Sequence, residues 1–193
     1  MCKLNTSDRL KLGNACVYMA QRVPDLSKTK LLKMLYFMEE YSVLRFKTPF
    51  LGLPFEVWQA GPVVKDVFVD LSEIPVLLDG FVERVQMDGA TYVKPVAEFC
   101  DDEFSDNDMV VMDDMIERYG AKSAKELVML THKEGSPWWK VAKEHGLLEA
   151  FEQKLMNNSD YVIDLGEELP ECSREFYLEN LEFLQQSRSV NGR

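Results

Sequence analysis

The sequence is poor in the residues that build metal centres and covalent staples. Two histidines and four cysteines occur in 193 residues. Cys2, Cys16, Cys100 and Cys172 lie far apart and form no CxxC pair. That spacing argues for isolated thiols in a reducing compartment rather than a disulfide framework. Neither His132 nor His145 falls into a zinc-ligand spacing with them. No run of about 18 apolar residues exists, which argues against a membrane span. The opening MCKLNTSDRLKLGN lacks an apolar signal core, so export is not expected and the chain is assigned to the cytoplasm. A phosphate-cradling glycine loop and a nucleophile elbow are missing, and no cofactor is expected. Internal repeats and low-complexity tracts are missing too.

What is there reads as one soluble globular domain. The chain is 46% hydrophobic and 28% charged, and its length suffices for a core without staples. The net charge of −11 is unevenly placed. Residues 1–97 hold 12 basic and 11 acidic residues, whereas residues 98–193 hold 10 and 22. An acidic C-terminal half repels a nucleic-acid backbone and favours encounter with a basic protein surface. Solubility alone is the other explanation.

The chain is organised around Lys28 to Pro62. In KTKLLKMLYFMEEYSVLRF the residues Leu31, Met34, Leu35, Phe37, Met38, Tyr41 and Leu44 recur at spacings of three and four. A stripe that wide predicts a central helix touching neighbours on more than one side, with Ser27 as its N-cap. Before it, a helix is expected from about Ser7 to Arg22, ended by Val23-Pro24. After it, LGLP breaks the pattern and Phe55, Val57 and Trp58 are extended. Pro62 is read as the N1 residue of a helix VVKDVFVDL.

Residues 81–96 predict a β-hairpin, because alternating FVERVQ and TYVKPV flank the turn residues Asp88-Gly89. Glu98 to Asp108 reads as an acidic loop. Ser105 with Asp108 predicts a capping box, and Ser123 caps the next short helix. Gly135-Ser136-Pro137 opens a helix at WWKVAKEHG, with Gly146 as its C′ residue. A last helix from about Ser173 to Gln186 is expected to dock Phe176, Leu178, Leu181, Phe183 and Leu184 on the core. The expected architecture is mainly α (α+β): a single helical domain around a long central helix, with a small antiparallel hairpin. Residues 1–156 form the helical domain and residues 157–193 a C-terminal extension on it.

Catalytic chemistry has few candidates. His132 stands near Glu134, and a histidine beside a carboxylate can act as a general base. Residues two apart on a helix do not face each other, however, and a helix-closing role explains Thr131-His132 equally well. His145 suits a helix C-terminus. Asp101, Asp102, Glu103 and Asp106 lack the EF-hand pattern. A winged-helix DNA reader is a further alternative, with Lys28, Lys30, Lys33, Arg45 and Lys47 as a basic patch. Its recognition helix, VVKDVFVDL, is mostly apolar and carries two aspartates, so nucleic-acid binding is not expected. The aromatics are more suggestive, since tryptophan anchors cores and makes interface hot spots. Trp58 is assigned to the core. Trp138 and Trp139 point about 100° apart on a helix, so one ring is expected inside and the other at the surface.

Three segments, Lys30–Phe37, Trp58–Val63 and Leu130–Lys140, together resemble the Panacea domain, also called the SocA-like antitoxin or phage-associated protein domain. The resemblance spans roughly residues 10 to 150. Ala60, Ser136 and Met38-Glu39-Glu40 depart from the family's usual pattern. The resemblance implies a mainly helical fold with a small antiparallel element. It also implies a bacterial, non-catalytic interaction module that neutralises a cognate toxin, commonly encoded by a neighbouring gene, through direct contact. One family member acts as a proteolytic adaptor that hands its toxin to a cytosolic protease. The partner-binding set taken from the three segments is Tyr36, Trp58, Gly61, Pro62, His132, Glu134, Trp138 and Trp139.

Overall fold

The computed structural model describes residues 4–190, and of Val190 only its backbone. Cys2, read above as an isolated thiol, lies outside the described residues. The fold is mainly α-helical, with two small antiparallel strand pairs.

Helix α1 (Thr6–Arg22) starts one residue earlier than expected. Asn5 is its cap, joined to Asp8 in a capping box. Helix α2 (Lys28–Phe46) is capped by the Ser27 side chain as expected. Residues 30–39 of α2 are all buried, which only a helix enclosed on every side can achieve. Around it pack α4 (Asp106–Tyr119) and α5 (Ala124–Thr131), together with the strands, and α1 packs in turn on α4. Val111, Met112, Met115 and Leu127 meet Leu31, Leu35 and Met38 in one continuous core.

The hairpin expected at 81–96 is present as β3 (Val82–Met87) and β4 (Ala90–Pro95). Asp88 and Gly89 both take positive φ, 51° and 76°, the backbone demanded by a two-residue hairpin turn. The hairpin leans on the start of α2, where the Val93 amide donates to the Leu26 carbonyl at 2.8 Å.

The second pair replaces the helix start expected at Pro62. Pro62 lies in β2 (Gly61–Val63), paired with β1 (Glu56–Trp58), and α3 begins only at Lys65 (Lys65–Asp70). Proline can serve in so short a strand because its missing N–H falls on an unpaired position. Residues 157–163 run along the other edge of β1. The Val57 amide donates to Tyr161 O at 2.8 Å, and Ile163 N donates to Phe55 O at 2.9 Å.

Helices α6 (Pro137–Glu144) and α7 (Leu147–Glu152) follow, with Gly146 in the left-handed region between them. Ser105 and Ser123 form the expected N-caps of α4 and α5, each within a capping box. A 3-10 turn (Leu165–Glu168) then leads to α8 (Glu171–Val190), which is longer than expected at both ends. Its expected inner face needs correction. Phe176, Leu178 and Phe183 are exposed. Tyr177 is buried, and Leu181, Leu184 and Arg188 are half-buried. At 100° per residue those four share one side, so register decides the docking face rather than hydrophobicity alone.

Candidate functional site

The three motif segments converge on one side of α2. Lys33 is buried, and its ammonium donates to the Pro62 carbonyl at 2.7 Å. Desolvation pushes its pKa down to about 7. Lys30, one turn earlier, is also buried and donates to Gly120 O at 2.7 Å, at the C-terminus of α4. Lys28 donates to Ser72 and lies over the Phe68 ring. The basic patch imagined for DNA binding therefore does not form, because its central lysines are spent inside on helix and strand carbonyls. The recognition helix of that reading, α3, has only six residues, with Val67 and Asp70 buried.

The tight turn Gln59-Ala60 between β1 and β2 is clamped by the third segment. Trp138 is buried, and its indole N–H donates to Trp58 O at 3.0 Å. His132 sits against the same turn, with Nε2 at 3.0 Å from Gln59 O and Nδ1 at 2.6 Å from Val128 O. Its ring lies 3.8 Å from that of Trp138. Both imidazole nitrogens thus face carbonyl oxygens, and neither is presented to space where a substrate could sit. Gly61 takes φ +91° beneath Thr131, and a Cβ there would meet Thr131 Oγ1 at 2.5 Å and Lys33 Cε at 2.9 Å. Only glycine fits that backbone and that gap.

Above this packed layer lies a cavity of about 330 Å³ whose walls include Tyr36, Glu40, Tyr119, Glu134 and Ser136. The Tyr36 hydroxyl donates to Glu40 Oε1 at 3.0 Å. Burial raises the Glu40 pKa, and it raises that of Tyr36 well above the ordinary phenol value, with the Glu40 charge adding to it.

Of the eight residues singled out in the sequence, Tyr36, Gly61, Pro62 and Trp138 are buried. Trp58, His132 and Trp139 are half-buried, and Glu134 is exposed. Trp58 packs on the core with its N–H on Glu56 at 2.9 Å and its ring 4.9 Å from Phe68. The tandem tryptophans divide as their 100° offset predicts. Trp139 keeps an outer face, and the Lys143 ammonium sits 4.5 Å above its ring.

Sequence reasoning missed Lys33 as a buried cation. Its signal was the run of apolar residues on all sides of α2 between Leu31 and Met38, which leaves no solvent side along that stretch. Among the described residues no cluster of three His, Cys, Asp or Glu is arranged to hold a metal ion. No helix among them is long and apolar enough to cross a membrane.

A comparison with known families matches residues 31–139 to the family described as antitoxin SocA-like, Panacea domain. That stretch is more than half of the chain. The chain belongs to this family. All the buried contacts just described between α2, β2 and the Thr131–Trp138 turn fall inside the matched Panacea segment. No curated protein and no solved structure matches the chain.

Proposed function

We propose that this Panacea-domain protein is a non-catalytic antitoxin that neutralises a cognate toxin by direct binding. The observation that carries the reading is the split within the motif. Tyr36, Gly61, Pro62 and Trp138 build a rigid layer, and Glu134, Trp139 and the outer edge of Trp58 stand on its surface. A half-exposed tryptophan held by a fixed scaffold is the usual material of an interface hot spot. The buried members of the set position these residues, and the exposed ones make the contact. A toxin encoded by the neighbouring gene is the expected partner. Delivery of that toxin to a cytosolic protease is one route by which binding can neutralise it. The two carbonyl partners of His132 favour this reading over an enzyme built on that residue.

The test is co-expression with the product of the adjacent gene, scoring growth and co-purification. Rescue of toxicity together with a stable complex is expected. A Trp139→Asp variant is expected to keep its fold and weaken the complex at least tenfold. A harmless neighbour that does not co-purify, or undiminished affinity in the variant, overturns the assignment.

A further inference from the structure

A cavity of about 610 Å³ lies away from the motif layer, between α8 and the body. Its floor is apolar, formed by Leu53, Phe55, Ile163, Leu165 and the inner residues Tyr177 and Leu181 of α8. Its mouth is apolar as well. Val162 and Leu178 both line the cavity and remain 50% and 44% exposed. The rim, in contrast, is acidic. At 100° per residue, Glu171, Glu175 and Glu182 fall within about 60° of Leu178 around α8, and all three are exposed; Arg174, on the same face, is paired with Asp164 of the lining at 3.1 Å. Among the described residues none of these three is in an ion pair. The one arginine of the lining, Arg188, is already held by Asp8 and by the carbonyls of Leu51 and Gly52.

We propose that this cavity docks a basic segment of a partner protein, which inserts a large apolar side chain past Val162 and Leu178 while its lysines or arginines meet the glutamates of α8.

The charges select that occupant. A second copy would bring the same three glutamates against an equally acidic surface, which opposes association. An anionic amphiphile would meet the acidic rim, where the two arginines of α8 among the described residues, Arg174 and Arg188, are already engaged by Asp164 and Asp8. A volume of several hundred Å³ accommodates one or two large side chains, and a desolvated apolar anchor ringed by charge is the usual anatomy of a tight peptide contact. The site is built mainly from residues beyond the family-matched segment, and it stands whether or not Trp139 touches a toxin.

The experiment is fluorescence anisotropy on the full chain. The probe is a fluorescein-labelled 14-residue leucine–lysine peptide with leucines at i, i+3, i+4 and i+7, titrated at 150 mM salt. Binding is expected for the wild type and not for the same peptide with glutamate replacing lysine. Two variants must each weaken binding at least tenfold: Leu178→Glu at the exposed lip, and Leu181→Trp, which fills the cavity without changing charge. Thermal melts of both variants establish that they fold. Absence of binding, or Leu181→Trp binding as well as wild type, overturns the proposal, the latter because attraction would then be charge alone. Binding of the anionic apolar dye anilinonaphthalene sulfonate in the cavity without peptide binding overturns it in favour of a small apolar ligand. A dimer in sedimentation velocity that Leu178→Glu dissolves overturns it in favour of a second copy.

Discussion

The Lys33 ammonium donates to the Pro62 carbonyl at 2.7 Å and ties the middle of α2 to strand β2. It does so from a buried position where its charge is poorly solvated, so its pKa falls to about 7 from the ordinary lysine value of 10.5. The unfolded chain therefore binds more protons than the folded one between those two values, and stability rises with pH across that window. Below about pH 7 the lysine is charged in both states and the burial penalty is fully present.

The expected outcome is a melting temperature that climbs between pH 7 and 9, by at most about 1.4 kcal/mol of stability per pH unit. Above that range the buried Cys16 thiol, whose pKa burial raises, contributes the opposite slope as the unfolded thiol ionises. Lys33→Met keeps the volume and removes the titration. Its melting temperature should be flatter over the same range and higher near pH 6. A variant that retains the wild-type slope would locate the titration elsewhere.

Gly61→Ala should be far more costly than a surface glycine replacement. The backbone there is at φ +91°, and the new methyl would sit 2.5 Å from Thr131 Oγ1. Strain and overpacking together predict a loss of about 2–4 kcal/mol. The loss should be accompanied by increased exposure of Trp138, whose indole binds the same turn. Chemical denaturation followed by tryptophan emission reads both quantities. Gly89→Ala is the comparison, because Gly89 also has positive φ but nothing lies within 4 Å of its Cβ position. It should lose only the backbone component, about 1 kcal/mol. Equal losses at the two sites would show that crowding at Gly61 contributes nothing.

Much of this architecture was legible because its local signals agreed with one another. Ser27, Ser105, Ser123 and Asp88-Gly89 are short-range chemistry, and each does in the fold what its side chain or backbone preference dictates. Pro62 misled for a physical reason. Proline suits the first turn of a helix and the unpaired side of a short strand equally, and pairing with Glu56–Trp58 across a two-residue turn decided between them. In α8 the sequence offered apolar residues around most of the helix. Which of them turned inward depended on where Tyr177 met the body, a long-range fact without a local signature. The three segments that carry the family resemblance lie together in the fold, which their separation along the chain does not announce. That Trp138 supports and Trp139 faces outward is a matter of burial, which spacing could announce only as one of each.

Two buried carboxylates shape loops in the same way, and neither was visible in the pattern. Glu39 accepts from the successive amides of Phe50, Leu51 and Gly52 at 3.2, 2.8 and 3.0 Å. Asp70 accepts from those of Val76, Leu77 and Leu78 at 2.6, 2.8 and 3.0 Å. Each satisfies donors that a non-helical, non-strand segment would otherwise bury unpaired. Removing one carboxylate orphans three amides, so Glu39→Ala and Asp70→Ala should each lose about 2–4 kcal/mol. Glu39→Gln retains the shape, but its NH₂ group would face an amide donor, so it should recover only part of that loss. The two sites should differ in reach. Asp70 holds the connection into the β3–β4 hairpin, whereas Glu39 fixes the Phe50–Gly52 turn on which Arg188 of α8 rests. Hydrogen exchange should therefore show α8 losing protection in Glu39→Ala and not in Asp70→Ala. Unchanged exchange in α8 would mean that its seat depends on the Tyr177 and Leu181 contacts and not on the geometry of that turn.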